Sequence, residues 1–251
     1  MTTSNSNKIL VFFVLTFLCS FLIEEIQQLY KIFEHLKFAL LIPGIIALFM
    51  LFYYEVPGTF ESFIKRRIIP TVKFNLIPII VSLLPLIIIP VSFLIYKLLY
   101  NQGAKTSEIE FSFIVWPVIG IFFEEIGWRG YFQHKAGSFI NMIIATLLTG
   151  ALWFLVQYDL YFNDPFLGIV LLILYLSFSV ILSYLFFLSN RNIILCYVFR
   201  LTHTILSVIF IAQYSKEMDF IFIITLIYLI AAIVVLVFNK RLFQIDTEDK
   251  L

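Results

Sequence analysis

The stretch FSFIVWPVIGIFFEEIGWRGYFQHK, residues 111–135, joins a long apolar run to two adjacent glutamates and an arginine. The apolar part is typical of a helix that crosses a bilayer, which needs about 20 residues. A charged side chain near the bilayer centre costs about 2.5–3.5 kcal/mol on insertion scales, so acidic residues there usually face a protein interior or a wet cavity and serve a function. The stretch therefore predicts a membrane-embedded helix that carries a polar site.

The composition of the whole chain points to the same environment. Of the 251 residues, 62% are hydrophobic and 13% are charged, and the mean hydropathy is +1.02, whereas a soluble domain is about half apolar and a quarter charged. The net charge of +1 gives no basic surface for nucleic acid. Cys19 and Cys196 lie in apolar runs without CxxC spacing, so neither a disulfide framework nor a thiolate metal site is indicated. We expect an integral membrane protein whose partners include the lipid bilayer and exclude nucleic acid.

Apolar runs of sufficient length predict about eight membrane spans. The predicted spans are Leu10 to Ile23, Phe38 to Tyr54, Leu76 to Leu99, Phe111 to about Tyr131, Phe139 to Val156, Phe166 to Leu188, Ile193 to Ala212 and Phe220 to Phe238. Strands that cross a membrane need only about 10 residues in an alternating pattern, so these longer, continuous runs indicate helices. The predicted fold is all-α, a polytopic transmembrane helical bundle that forms a single integral membrane domain over residues 1–251.

The lysines and arginines predict the orientation of the chain, because they accumulate on the cytoplasmic side of membrane proteins. With the N-terminus inside, the cytoplasmic set is Lys8, Lys65, Arg66, Arg67, Lys73, Arg129, Lys135, Arg191, Lys240, Arg241 and Lys250, and the outer set is Lys31, Lys37, Lys97, Lys105 and Lys216. Both termini are therefore predicted to be cytoplasmic, with a bacterial plasma membrane as the expected location. The segment from Glu55 to Lys73 carries the basic run KRR and is predicted to form an interfacial helix. This run favours a positive-inside anchor over specific lipid recognition.

The charges of the opening stretch have helical spacing. Glu125 and Arg129 are four residues apart and share a helix face, so the arginine can neutralise this carboxylate. Glu124 points elsewhere, where it could hold a water molecule or a polar group of another span. The alternative is a solvated ion pair at the end of a span, but Glu124 lies about 20 Å along a straight helix from Phe111, which is deep for a surface position.

The seventh predicted span contains a second polar group. Arg200, His203 and Ser207 fall at i, i+3 and i+7 on one helix face. His203 lies about 15 Å from the start of its span, and Glu124 lies about as far from Lys135 at the end of its own helix, so the two can meet at one depth. A lone buried histidine is more often structural than catalytic, but the neighbouring Arg200 and the shared depth favour a common site.

These residues resemble the motifs of the CPBP family of intramembrane proteases, which includes CAAX prenyl endopeptidases, bacteriocin-processing and immunity proteins, and abortive infection proteins. The string EEIGWRG resembles the family's EExxxR motif, and HTILS, residues 203–207, resembles its HxxxN motif. The resemblance covers a core of residues 111–211. It implies an intramembrane endopeptidase in which Glu124 is the general base, Glu125 and Arg129 form a structural pair, and His203 is an oxyanion donor. No cofactor is implied; a divalent metal is possible but is not supported by the sequence, since the HExxH spacing is absent.

The sequence departs from the family pattern at three positions. Where the family has FxxxH the chain reads WFLVQ, so Trp153 replaces the phenylalanine and Gln157 replaces the histidine, and Ser207 stands where asparagine is usual. Glutamine can orient a water molecule, but it cannot take a proton as imidazole does. A straight fifth span that starts at Phe139 places Gln157 about 10 Å further toward the outer face than Glu124. Either the span boundaries are shifted by several residues or Gln157 lies outside the site.

Three classes of function are compatible with these features. The first is an endopeptidase that cleaves a peptide or a membrane-protein substrate, and the second is a catalytically silent relative that binds such a partner in immunity or regulation. The third is a transporter or proton relay, which is disfavoured because no inverted repeat and no paired broken helices occur. The last four residues, EDKL, do not form a CaaX box, so nothing predicts that the chain itself is prenylated.

Overall fold

The computed structural model describes residues 5–30, 37–55, 58–69, 76–100, 112–157, 164–211, 217–239 and 243. Within these ranges the regular structure is helical and no residue lies in a strand. The α-helices are α1 Asn5–Tyr30, α2 Ile42–Tyr53, α3 Thr59–Phe63, α4 Leu76–Ser82, α5 Pro85–Tyr100, α6 Ser112–Glu125, α7 His134–Gly137, α8 Met142–Val156, α9 Pro165–Leu188, α10 Ile194–Ile211 and α11 Glu217–Phe238. A 3-10 turn, Phe38–Leu41, precedes α2, and π-helical segments follow α3 at Ile64–Ile68 and α6 at Ile126–Gln133.

Four helical stretches are long and apolar enough to cross a membrane, and the described parts of the chain also contain shorter apolar helices. The long stretches are Asn5–Tyr30, Leu76–Tyr100, Pro165–Leu188 and Met218–Phe238, and the shorter ones are Phe38–Tyr53, Met142–Val156 and Ile194–Phe210. Many large apolar side chains on them are exposed, such as Leu98 at 75% and Phe238 at 79%, as expected of helices that face lipid. The predicted class, a polytopic helical membrane protein, is confirmed.

The observed helix boundaries differ from the predicted ones for local reasons. The third predicted span is interrupted at residues 83 and 84 and resumes at Pro85, because proline removes a backbone donor and suits the first turn of a new helix. The fifth begins at Met142 rather than Phe139, because the Asn141 side chain accepts a hydrogen bond from the backbone N–H of Ile143 at 2.8 Å and caps the helix there. Seven cations of the predicted topology lie outside the described residues: Lys31, Lys73, Lys105, Lys216, Lys240, Arg241 and Lys250.

Helix α9 is the most enclosed of the long spans, with 61% of its apolar window buried. It packs against α8 and α11, while α2 packs against the π-helical segment that follows α6. Small residues allow the latter contact: a Cβ on Gly127 would lie 2.5 Å from the backbone carbon of Pro43, and one on Gly44 would lie 2.5 Å from the carbonyl oxygen of Phe123. Two backbones therefore meet directly beside the glutamates, a mode of packing common in membranes.

Candidate active site

The EExxxR motif lies where an α-helix changes into a π-helix. Helix α6 ends at Glu125, and the π-helical segment Ile126–Gln133 continues from it with all eight residues buried. A π-helix closes i→i+5 hydrogen bonds, is rare, and occurs frequently at functional sites. The sequence predicted a continuous α-helix here, so the widened turn is a feature that the apolar pattern did not indicate.

A buried polar network fixes the far end of this segment. The Gln133 side-chain amide donates to Thr146 Oγ1 at 3.2 Å and to Ser183 Oγ at 2.6 Å, and Ser179 Oγ donates to the backbone carbonyl of Thr146 at 2.6 Å. These bonds join the π-helical segment to α8 and α9. They orient the helix that carries the glutamates relative to the helices that carry the other polar side chains.

Two glutamates and two arginines form a buried, charge-balanced cluster. Arg129 Nε lies 3.6 Å from Glu125 Oε2, as the i, i+4 spacing predicted. Arg200 reaches across from α10, donating from Nη2 to Glu124 Oε2 at 2.8 Å and from Nη1 to Glu125 Oε1 at 3.3 Å. The sequence placed Arg200 at the depth of the glutamates but left Glu124 without a cationic partner, and Arg200 is that partner.

The other carboxylate oxygen of Glu124 accepts two hydrogen bonds from α8 and its C-terminal cap. Trp153 Nε1 donates to Glu124 Oε1 at 3.0 Å, and Gln157 Nε2 donates to the same oxygen at 3.1 Å. Of the two alternatives that followed from the expected offset of about 10 Å, shifted span boundaries apply, because Gln157 lies in the site. The start of α8 at Met142 accounts for about 4.5 Å of the offset at 1.5 Å per residue.

The motif pattern did not predict that Trp153 contacts the charged residues of this site. Its ring lies under two guanidinium groups, with Arg200 Cζ 4.0 Å and Arg129 Cζ 4.6 Å from the ring centroid. Its other neighbours include Tyr175, which makes an edge contact at 4.5 Å between centroids. Cation–π attraction of desolvated pairs reaches about 2 kcal/mol. The replacement of the expected phenylalanine by tryptophan was the available signal, because only the indole brings an N–H donor.

Arg129 is held by charge and stacking. It is fully buried, and none of its guanidinium nitrogens donates a hydrogen bond to another of the described residues. The ion pair with Glu125 and the face of Trp153 are the contacts that stabilise its charge. A buried arginine with this few hydrogen bonds depends strongly on its carboxylate partner.

His203 lies one helical turn beyond Arg200 and makes its own hydrogen bonds. Its Nδ1 is 3.0 Å from the Tyr228 hydroxyl of α11, and its Nε2 is 3.3 Å from Ser207 Oγ. The ring also packs edge-on against Phe178 at 4.6 Å between centroids. Among the hydrogen bonds of the described residues, none joins His203 to Glu124. The pairing of His203 with Ser207 follows the motif spacing, and the role of His203 as an oxyanion donor remains a prediction.

The two glutamates of the cluster are paired with arginines and not with other metal-binding side chains of the described residues. Within the described ranges, no three His, Cys, Asp or Glu side chains lie close enough together to hold a metal ion. Arg200 binds both carboxylates and Arg129 lies beside one of them, so a divalent cation would have to compete with two guanidinium groups. That the protein uses no cofactor remains a prediction.

The fold and the site define a class: an integral membrane protein of bundled helices with a buried glutamate–arginine cluster where α6, α8 and α10 meet. Residues 106–211 match the family model described as Type II CAAX prenyl endopeptidase Rce1-like. The chain is also 24% identical over 193 residues to CAAX prenyl protease 2 of Methanococcus maripaludis, a match that covers 72% of this chain and 69% of that protein. These two matches confirm the resemblance to the CPBP family of intramembrane proteases. They support the general class of intramembrane endopeptidase.

Proposed function

We propose that the chain hydrolyses a peptide bond in the membrane with Glu124 as the base that activates water. One observation carries the proposal: Glu124 is 1% exposed, yet its carboxylate is oriented by donors on two other helices, Trp153 and Gln157 on one side and Arg200 on the other. All three are N–H donors, so the arrangement suits the ionised carboxylate, which only accepts hydrogen bonds. A carboxylate that neighbouring donors hold in one orientation suits general-base catalysis, because the base must lie within hydrogen-bond reach of the water that it deprotonates.

The proposed reaction uses the residues of the cluster in distinct roles. Glu124 takes a proton from water, the hydroxide adds to the scissile carbonyl carbon, and negative charge develops on the carbonyl oxygen. His203 or Arg200 donates a hydrogen bond to that oxyanion. The protonated Glu124 then returns its proton to the departing amine, so the carbon–nitrogen bond breaks and the carboxylate is regenerated. Glu125 and Arg129 position this machinery and do not exchange protons.

A second candidate, a catalytically silent protein that binds a peptide or membrane protein, is favoured by Gln157. The CPBP resemblance calls for an imidazole at this position, and the observed amide donates to the lone pair of Glu124 that a reacting water would otherwise use. An amide cannot relay a proton. The same buried polar cluster would then serve recognition alone.

The first substrate class to test follows from the relative's name, CAAX prenyl protease. A prenylated peptide that ends in a CaaX sequence combines a lipid tail with a cleavable peptide bond. Unprenylated peptides of the same sequence form the comparison, since both classes are compatible with an intramembrane site.

The decisive experiment compares the purified chain with Glu124→Gln, with Gln157→His, and with Glu61→Gln as a control on α3. Peptide cleavage should fall by at least about 100-fold in Glu124→Gln, the lower range for a lost general base, and should be unchanged in Glu61→Gln. Gln157→His should raise the rate, because it supplies the missing imidazole. The silent-binder candidate is selected if neither the parent nor Gln157→His cleaves any peptide while the parent still binds one. The Glu124 mechanism is rejected if Glu124→Gln cleaves as fast as the parent.

A further inference from the structure

The basic run KRR, residues 65–67 of the predicted interfacial segment, contacts the helical bundle through Arg67. Helix α3 and the following π-helical turn, Thr59–Ile68, carry Arg66 and Arg67. The backbone N–H of Ile193 donates to the Arg67 carbonyl at 2.9 Å, and Arg67 Nη1 donates to the carbonyl of Arg191 at 3.4 Å. The segment is therefore fixed through Arg67 to the connection between α9 and α10.

A cavity of about 460 Å³ lies between this segment and the end of the π-helical EExxxR segment. Its lining includes the hydroxyl residues Thr59 and Ser62, and its wall is formed by the end of the π-helical segment and by α7. The exposed Arg66 lies at its mouth, and Arg67, only 8% exposed, lies deeper in its lining. The volume lies in the range of roughly 300–1,000 Å³ that holds small ligands.

The cavity is strongly positive. Arg66, Arg67 and Lys135 line it together with His134, and no carboxylate belongs to the described residues of its lining. The nearby Glu55 is bound to Lys135 at 2.9 Å and to Lys8 at 3.0 Å, so it offsets one of these two lysines, and the excess positive charge of the lining comes mainly from Arg66 and Arg67. Burial, followed by the surrounding cations with Arg67 first among them, lowers the pKa of His134 to about 3. This imidazole is therefore neutral at physiological pH and adds no charge, and it lies against Arg67, whose Nη2 is 3.3 Å from each ring nitrogen.

We propose that this cavity, which we call the basic cavity, binds a phosphate group, carried either by the headgroup of an anionic phospholipid or by a soluble phosphate compound. Arg66 and Arg67 on the π-helical turn, Lys135 on α7 and the hydroxyl residues Thr59 and Ser62 on α3 line this one cavity. Charged N–H donors together with O–H donors suit an anion with several acceptor oxygens. Basic pockets between membrane helices bind phospholipid headgroups by this chemistry. The basic cavity is separate from the glutamate cluster and the assignment does not depend on proteolysis.

The test measures binding to the purified full chain in a neutral detergent by native mass spectrometry and by the shift in thermal unfolding midpoint. The probes are dioleoylphosphatidylglycerol, dioleoylphosphatidylcholine, inorganic phosphate and acetate, all at one ionic strength. The variants are Arg66→Gln, Lys135→Gln, and Lys65→Gln as a control. Lys65 is an exposed cation directly next to Arg66 in the chain, but it does not line the basic cavity.

Saturable binding of one phosphate-bearing probe is expected, with the dissociation constant raised about fivefold by Arg66→Gln or Lys135→Gln and less than twofold by Lys65→Gln, since one cation near the surface contributes about a fivefold factor. Binding of phosphatidylglycerol alone would assign the source to a lipid, and competition by inorganic phosphate would assign it to a soluble compound. The proposal is overturned if no phosphate probe binds saturably, if acetate binds equally well, or if Lys65→Gln weakens binding as much as Arg66→Gln.

Discussion

Glu125→Gln tests whether the buried cluster is stabilised as a charge-balanced unit. The substitution keeps the shape of the side chain but leaves Arg129 and Arg200 with Glu124 as the remaining anion of the cluster. The charge of Arg129 loses the most stabilisation, because its guanidinium nitrogens have no hydrogen-bond acceptor among the described residues. Its ion pair with Glu125, at 3.6 Å, is its nearest contact with a carboxylate. Removing one member of a buried pair costs about 3–5 kcal/mol.

This cost can be separated from the loss of a contact by a second substitution. Arg129→Met removes the stranded charge and retains a long side chain that can pack on the Trp153 ring. The double variant Glu125→Gln/Arg129→Met should therefore be more stable than Glu125→Gln alone, because buried ion pairs replaced by apolar groups are often neutral in stability. We expect a coupling free energy of about 1–3 kcal/mol in the double-mutant cycle.

Equilibrium unfolding in mixed detergent micelles measures these free energies, with thermal unfolding as a second readout. At about 2–4 °C per kcal/mol for a chain of this size, Glu125→Gln should lower the midpoint by about 6–20 °C. The control is Lys65→Gln, which changes an exposed cation on the π-helical turn after α3 and should change the free energy of unfolding by at most about 0.5 kcal/mol. A double variant that is as unstable as the sum of its single variants would refute charge balance as the stabilising principle.

Two further outcomes follow from particular neighbours. Because the folded chain holds the pKa of His134 near 3 and an unfolded histidine titrates near 6.5, the stability contributed by neutral His134 is complete above about pH 6.5 and is lost as the pH falls toward 3. At pH 5 the loss is about 2 kcal/mol, and His134→Gln should remove that part of the slope in a pH series of unfolding midpoints. Gly127→Ala should lower the yield of folded protein, because its Cβ would lie 2.5 Å from the backbone of α2. Gly137→Ala meets only the flexible end of a methionine side chain and should be tolerated; equal losses in both variants would contradict the close-packing explanation.

The sequence predicted the helical membrane class because hydrophobic length is a strong, local signal. The predicted span boundaries were accurate where a capping residue stands beside the apolar run. At the start of α9, the N-cap Asp164 accepts hydrogen bonds from the backbone N–H groups of Phe166 and Leu167. The boundaries were less accurate where apolar residues continued past a helix break, as before Pro85. The π-helical segment could not be read from hydrophobicity, since its stability comes from tertiary contacts such as those of Gln133.

The sequence predicted which charged residues belong to the candidate site. It predicted fewer of the contacts that these residues make with one another. The spacing of Glu125 and Arg129 indicated a pair within one helix, which is a local relation. The bond from Arg200 to Glu124 joins residues 76 positions apart, and only a fold brings them together. The straight-helix estimate for Gln157 began its span three residues too early, which displaces the other end of the span by about 4.5 Å. It also took no account of the length of the two side chains that meet in the hydrogen bond from Gln157 to Glu124.

The two departures in WFLVQ, Trp153 and Gln157, act on the same atom of Glu124. The indole N–H of Trp153 and the amide N–H of Gln157 both donate to Glu124 Oε1, so that oxygen already has two donors, while the other oxygen faces Arg200. Phenylalanine in place of Trp153 would remove a donor and free one lone pair of Oε1 for water, and histidine in place of Gln157 would add a group able to accept a proton. The substitutions are therefore coupled through one carboxylate oxygen, and their effects on Glu124 should be non-additive. The water that we propose Glu124 activates would accordingly lie at Oε2 beside Arg200, where the guanidinium group would also be close to the developing oxyanion.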